Sequence, residues 1–221
     1  MQIRSASFTL VALASWLVAG AVPVLAADKA FEPISASAGK FPPGTDRVFS
    51  IASVPVSATA GGAPFATLSP TSEVRILGVD GEQLKVRVSG WQLESGKRLV
   101  FFAPGRRILV AQLKPDENRR LQRGQPQTDE VTEQVWVPVS FEGYVPRNQF
   151  VASVKPLFEY GEVLVNANCT SCHPRPDLDH FTANQWAGIV RSKKSRVSAD
   201  AEQLAIITEY TQKHASDMAK K

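Results

Sequence analysis

The stretch Cys169-Thr170-Ser171-Cys172-His173 constrains this chain more than any other. It holds the only two cysteines among 221 residues, in a single C-x-x-C-H. That spacing is the attachment signature of a c-type haem: two thiols form thioether bonds, and the histidine that follows reaches the iron from one side. A redox or structural disulfide between Cys169 and Cys172 is the competing reading. Such pairs sit at a helix start inside a βαβ unit, where the dipole lowers a thiol pKa. Here the pair ends an amphipathic segment and runs into Pro174 and Pro176. The sequence therefore favours one covalent haem c, anchored by Cys169 and Cys172, with His173 as the proximal iron ligand.

The first residues read as a secretory signal. Arg4 supplies the positive start, an apolar run extends from Phe8 to Leu25, and Val24-Leu25-Ala26 offers a small-residue cleavage site. Ser15, Gly20 and Pro23 interrupt the run, so cleavage near Ala26 is expected in place of a retained anchor. Nothing later in the sequence is long and apolar enough to span a bilayer. The expected location is the periplasm. Lys and Arg number 25 against 21 Asp and Glu, a net charge of +4. This balance is too small for nucleic-acid binding, and no basic run carries interleaved aromatics.

Residues 27–45 are rich in Ala, Ser, Gly and Pro and read as a linker or extended arm. From 46 to 153 the texture is short β-type runs between turn residues. Val79-Asp80-Gly81-Glu82 is a hairpin signal, and the alternation after it puts Leu84, Val86 and Val88 on one face. Val86-Arg87-Val88-Ser89-Gly90-Trp91 matches Val139-Ser140-Phe141-Glu142-Gly143-Tyr144 in residue type, position for position. A repeat of this kind suggests two related units. The texture resembles bacterial SH3-like barrels, either two in tandem or one larger β domain. From 154 to 215 the period turns helical, with Leu157, Phe158, Gly161, Leu164 and Val165 forming the stripe that delivers Cys169. Thr182 and Gln185 form a capping box for a helix bearing Trp186, Ile189 and Val190, and Ser198 is expected to cap the last helix. Residues 216–221 read as a polar tail. The expected architecture is α+β and multidomain: a β-rich SH3-like barrel region, single or tandem, followed by a small all-α cytochrome c-like domain.

The group opposite His173 decides what the iron does, since a strong sixth ligand makes an electron carrier and an open position admits small ligands. Met218 falls in the polar tail and is set aside. His180 and Lys193 are the candidates for this position; His214 suits a helix C-terminal cap better. Trp186 is expected either to pack on the haem or to fill the core. Arg191, Lys193, Lys194 and Arg196 form a basic run that is either a docking collar or an ordinary solvated face.

Asn168 to His173, then His180 to Val190, then Tyr210 to His214 together resemble the C-terminal monohaem domain of the pentahaem cytochromes that serve trimethylamine N-oxide and S-oxide reductases. Val86 to Trp91 and Gly105 to Val110 resemble the region preceding that domain. The resemblance implies a periplasmic electron carrier, not an enzyme. Its implied partners are a molybdenum-containing reductase, a membrane multihaem quinol-oxidising cytochrome, or both, in anaerobic respiration. The tetrahaem half of that family is absent here, because only one C-x-x-C-H occurs. A haem-based redox or gas sensor, or an assembly factor docking through its SH3-like region, is the alternative function.

Overall fold

The computed structural model describes residues 22–170, 174–175 and 177–218. Strands β1 (Arg47–Ser50), β2 (Val54–Ser57), β3 (Pro64–Leu68), β4 (Glu73–Asp80), β5 (Gln83–Leu93), β6 (Leu99–Ala103), β7 (Arg106–Leu113), β8 (Gln122–Arg123), β9 (Gln127–Thr128), β10 (Val135–Pro146) and β11 (Phe150–Val151) all join one sheet. Four helices accompany it: α1 (Val22–Ser37), α2 (Lys155–Cys169), α3 (Ala183–Lys193) and α4 (Ala201–Lys213). None of the described helices is long and apolar enough to cross a membrane.

The two longest strands make the scaffold. β5 and β10 pair antiparallel over their length, from Gln83 opposite Pro146 to Leu93 opposite Trp136. Alternation then sends Leu84, Val86, Val88, Val139, Phe141 and Val145 inward, all at most 4% exposed. The other edges lead from β5 through β6, β7, β3 and β2 back to β10, so the sheet closes on itself. Closure removes the free edges that an open sheet would expose. The hairpin between β4 and β5 forms at Gly81-Glu82, with Asp80 opposite Gln83 and Gly81 at φ 56°, as its residues predicted.

This topology corrects the expected tandem SH3-like barrels. The two matching hexapeptides are not equivalent strands of separate barrels; they are neighbours in one barrel. Val86 lies opposite Gly143 and Gly90 opposite Val139, so the similarity relates one strand to its antiparallel partner. Each hexapeptide carries its glycine where another strand crosses closely. A Cβ on Gly90 would lie 2.6 Å from the Phe101 carbonyl oxygen, and one on Gly143 would lie 2.5 Å from Val56 Cγ1 and 2.9 Å from the Ser57 carbonyl oxygen. Shared sterics at a crossing produce the shared pattern.

The expected separate all-α domain is corrected as well. The helices pack onto the barrel and share a core with it: Ile51, Ile108 and Val151 from strands and their ends cluster with Leu157, Leu164, Trp186 and Ile207. The β-rich part dominates, and the core of the helical layer is completed by residues of the barrel. Residues 27–45, expected as linker, are helical through Ser37, where Ala27 and Ile34 are buried and Phe31 packs on Tyr160 at 5.0 Å. Composition hid this helix because its small residues carry little periodic signal. The last helix is capped by Asp200, not Ser198, in a capping box with Gln203. The capping box of Thr182 and Gln185 is present on α3.

Gly143→Ala should destabilise the protein by about 1–3 kcal/mol, because β2 has no room for the methyl group. The urea unfolding midpoint measures this, and the exposed turn residue Gly81 replaced by Asn serves as a control with a small effect.

Candidate haem-attachment site

Cys169 is the last residue of α2. The helix forms because Leu157, Gly161, Leu164 and Val165 recur at helical spacing and are buried, and Pro156 fits its first turn. Two side chains close its C-terminal end. Asn168 Nδ2 donates to the Leu164 carbonyl at 2.9 Å, and the Thr170 hydroxyl donates to the Asn166 carbonyl at 2.6 Å. Gly161 lets α4 approach; a Cβ there would lie 2.7 Å from Tyr210 Cβ. Phe158 stands edge-on to His214 at 4.8 Å, and His214 caps α4 with Nδ1 2.7 Å from the Tyr210 carbonyl.

The Cys169 thiol is free and half-buried, and burial pushes its pKa up. Cys172 and His173, the other two expected site residues, lie outside the described residues. Beyond them, Arg175 ties the chain back to α2, donating to Glu162 at 2.6 Å and to Asn166 Oδ1 at 3.3 Å. The segment carrying the motif is thus bracketed by α2 on one side and an ion pair to α2 on the other.

The remaining expected site residues are dispersed around α3. His180 ends a short 3-10 turn, exposed, with its ring edge-on to Phe181 at 4.7 Å. Lys193 is the last residue of α3 and is exposed. The two stand at opposite ends of α3, about 15 Å apart along its axis, so they are mutually exclusive as ligands. Trp186 is 4% exposed, donates Nε1 to the Leu178 carbonyl at 2.8 Å and meets Phe181 edge-on at 5.2 Å. Its indole is held by protein contacts in the core. Arg191, Lys194 and Arg196 are exposed beside Lys193.

Two features of the site were missed in the sequence. The residues after α4 are docked: Asp217 Oδ1 accepts from the Ala183 amide at 2.8 Å at the start of α3, and its carbonyl accepts from Arg106 Nε and Nη2 at 3.0 and 2.8 Å. The Ser216 amide donates to the Phe181 carbonyl, and Met218 packs against the helical core instead of fraying. The second feature is a buried polar seam between α4 and the barrel. Lys213 Nζ lies 3.2 Å from Glu209 Oε2, and donates to the Thr71 carbonyl at 2.9 Å and its hydroxyl at 2.7 Å. Thr71 sits at φ 59°, in the left-handed region that a β-branched residue rarely adopts. Burial raises the Glu209 pKa, with Lys213 and Thr71 opposing. The only signal was an i,i+4 Glu–Lys pair, which ordinarily marks a solvated helix face.

A β-barrel with a helical layer, whose α2 ends at the first cysteine of a C-x-x-C-H, suits a cytochrome c-type domain. Residues 43–150 match the family described as the TorC third cytochrome c domain, and the chain carries a TorC/TorY-like cytochrome domain. It is 30% identical over 195 residues to the cytochrome c-type protein TorC of Escherichia coli K12, covering 87% of this chain and 49% of that protein. It is 33% identical over 153 residues to the cytochrome c-type protein TorY of Haemophilus influenzae, covering 69% and 42% respectively. The chain thus spans about half the length of the relatives it matches. No solved structure matches it. The family segment 43–150 is the barrel and ends before Cys169.

A cytochrome c-type family implies haem c, and the described residues fit one. The free Cys169 and the partly buried Phe158, Leu178, Phe181 and Ile189 all pack against the same helical core. That is the chemistry a thioether-anchored macrocycle requires: an unpaired thiol and apolar groups to cover its faces.

Lys213→Met should cost about 3 kcal/mol at neutral pH, because it strands the buried Glu209 carboxylate. Burial already favours the protonated acid, so the folded state binds this proton more tightly than the unfolded chain does. The penalty should therefore shrink as pH falls toward the ordinary glutamate range, which urea denaturation between pH 5 and pH 8 measures.

Proposed function

We propose that this chain is a periplasmic, monohaem c-type cytochrome that passes single electrons to a molybdenum-containing N-oxide or S-oxide reductase. A single observation carries the reading: similarity to TorC and TorY covers most of a chain that holds only one C-x-x-C-H. Residues 1–26 would be removed on export. Residues 1–21 lie outside the described residues, and the expected cleavage site at Ala26 falls inside α1, leaving Ala27 to Ser37 to pack on α2. The electron donor would be a membrane multihaem cytochrome that oxidises quinol.

Cys169 and Cys172 would hold the haem, and His173 would be its proximal ligand. The haem supplies reversible one-electron chemistry when bound. The chain's own part is to fix that group and exclude water from it. Cys169 would hold it from a helix end tied down by Asn168 and Thr170, and Arg175 restrains the return of the chain through Glu162. Trp186, with Phe181 and Leu178, would form the apolar wall behind the site. Lys193 or His180 would complete the coordination from one end of α3 or the other. The exposed cations Arg191, Lys194 and Arg196 would face the redox partner there.

Pyridine haemochrome analysis should give one haem per chain, and Cys169→Ser with Cys172→Ser should abolish covalent attachment. A ferric low-spin spectrum lost in Lys193→Ala but kept in His180→Ala would assign the amine; the reverse pattern would assign the imidazole. Stopped-flow mixing of the reduced protein with an N-oxide or S-oxide reductase encoded beside it should show rapid reoxidation. Failure to transfer electrons to such a reductase would remove the carrier role.

A further inference from the structure

The outer face of the barrel carries a row of cations that the fold itself does not require. Register places Arg47 of β1 opposite Arg75 of β4, Arg75 opposite Arg87 of β5, and Arg87 opposite Glu142 of β10. The row crosses four adjacent strands, about 15 Å at ordinary strand spacing. All four side chains point outward, since their neighbours Val48, Val74, Val86, Val88 and Phe141 are buried. Arginine directly opposite arginine is unfavourable in a ladder, and here it occurs twice in succession.

The carboxylates nearby do not neutralise the row. Glu73 is taken by Arg47 at 2.7 Å, and Glu142 is shared between Arg87 at 2.6 Å and Lys85 at 3.7 Å. Arg75 is exposed, with no carboxylate partner among the described residues. Arg87 Nε is shielded from solvent and has no acceptor. Beyond Glu142 the row opens into a cleft of about 580 Å³ lined by Arg119, Arg120, Gln122 and Glu142. Both of those arginines share the single carboxylate of Glu117. Six cations, Lys85 included, thus have three paired carboxylates between them, Glu73, Glu142 and Glu117.

We propose that this face is a docking surface for a carboxylate-rich patch on a protein partner. Charge complementarity selects the occupant: a row of exposed guanidinium groups with unused donors suits carboxylates, which they bind in a forked geometry. The surroundings disfavour an anionic lipid surface. The tip of the β4–β5 hairpin projects Asp80 and Glu82 beside the row, so the anion that fits is a bounded patch stopping short of the tip, as carboxylates on a protein can and a continuous headgroup layer cannot. Leu77, at the bulge in β4 beside the row, is 39% exposed and supplies the apolar contact that a protein interface adds to its charges. The surface lies on barrel strands, whereas the cations of the proposed redox contact lie on α3 and the turn after it. Binding here needs no electron transfer, so it stands or falls apart from the electron-carrier reading.

Poly-L-glutamate is the probe, titrated into the full-length isotope-labelled protein and followed by amide chemical shifts. Shifts should concentrate at Arg47, Arg75, Lys85, Arg87, Arg119 and Arg120. Arg75→Gln combined with Arg119→Gln should weaken binding about tenfold, the scale of two lost charge contacts, and added salt should weaken it further. Lys194→Gln with Arg196→Gln should leave the affinity unchanged. Equal loss in both double variants, or none in the first, overturns the proposal. So does binding to phosphatidylglycerol vesicles without binding to poly-L-glutamate, or self-association in sedimentation that the first variant abolishes.

Discussion

Everything in this molecule hangs on the pairing of β5 with β10. It joins residues 43 to 63 positions apart over eleven consecutive pairs, from Leu93–Trp136 to Gln83–Pro146, and so carries a large loop-closure cost before any contact is made. Once formed, it fixes the inward face of both strands, and a one-residue slip would turn either Leu84 and Val86 or Phe141 and Val145 out to water. The glycines at 90 and 143 then admit the crossing strands that close the barrel. The helical layer depends on this result, because its core borrows Ile51, Ile108 and Val151 from the barrel and its connections.

What could be read from the sequence was local. The β4–β5 hairpin, the inward run Leu84-Val86-Val88, the α2 stripe and the Thr182–Gln185 capping box each depend on residues a few positions apart. The haem motif belongs to the same kind of information, being five consecutive residues. What could not be read was non-local. Two similar hexapeptides look the same whether they belong to two barrels or to two strands facing each other, and only the pairing decides. Glu209 and Lys213 look like a solvated pair until Thr71, far away in sequence, covers them. Asp217 looks like tail until Arg106 and Ala183 are found around it.

The helical layer and the barrel are locked by polar contacts as much as by apolar ones. Besides the Glu209–Lys213–Thr71 seam, Gln212 Nε2 donates to the Arg107 carbonyl at 3.4 Å, Asn184 bridges Arg107 N and the Gly105 carbonyl at 2.8 and 2.7 Å, and the Ser53 amide donates to Glu202 at 2.9 Å. Directional bonds of this kind specify one orientation of the layer, whereas apolar packing tolerates sliding. The end of α2 is thereby held at a fixed angle to the barrel. A thiol on that end, and whatever it carries, inherits the rigidity of the sheet.

Asp217 also acts as a clasp. Its bonds to the start of α3 and to Arg106 of β7 join three stretches far apart in the chain. A clip of this kind acts on the layer and not on the sheet: without it the first turn of α3 would loosen from β7, while the strand pairings that close the barrel would stay intact.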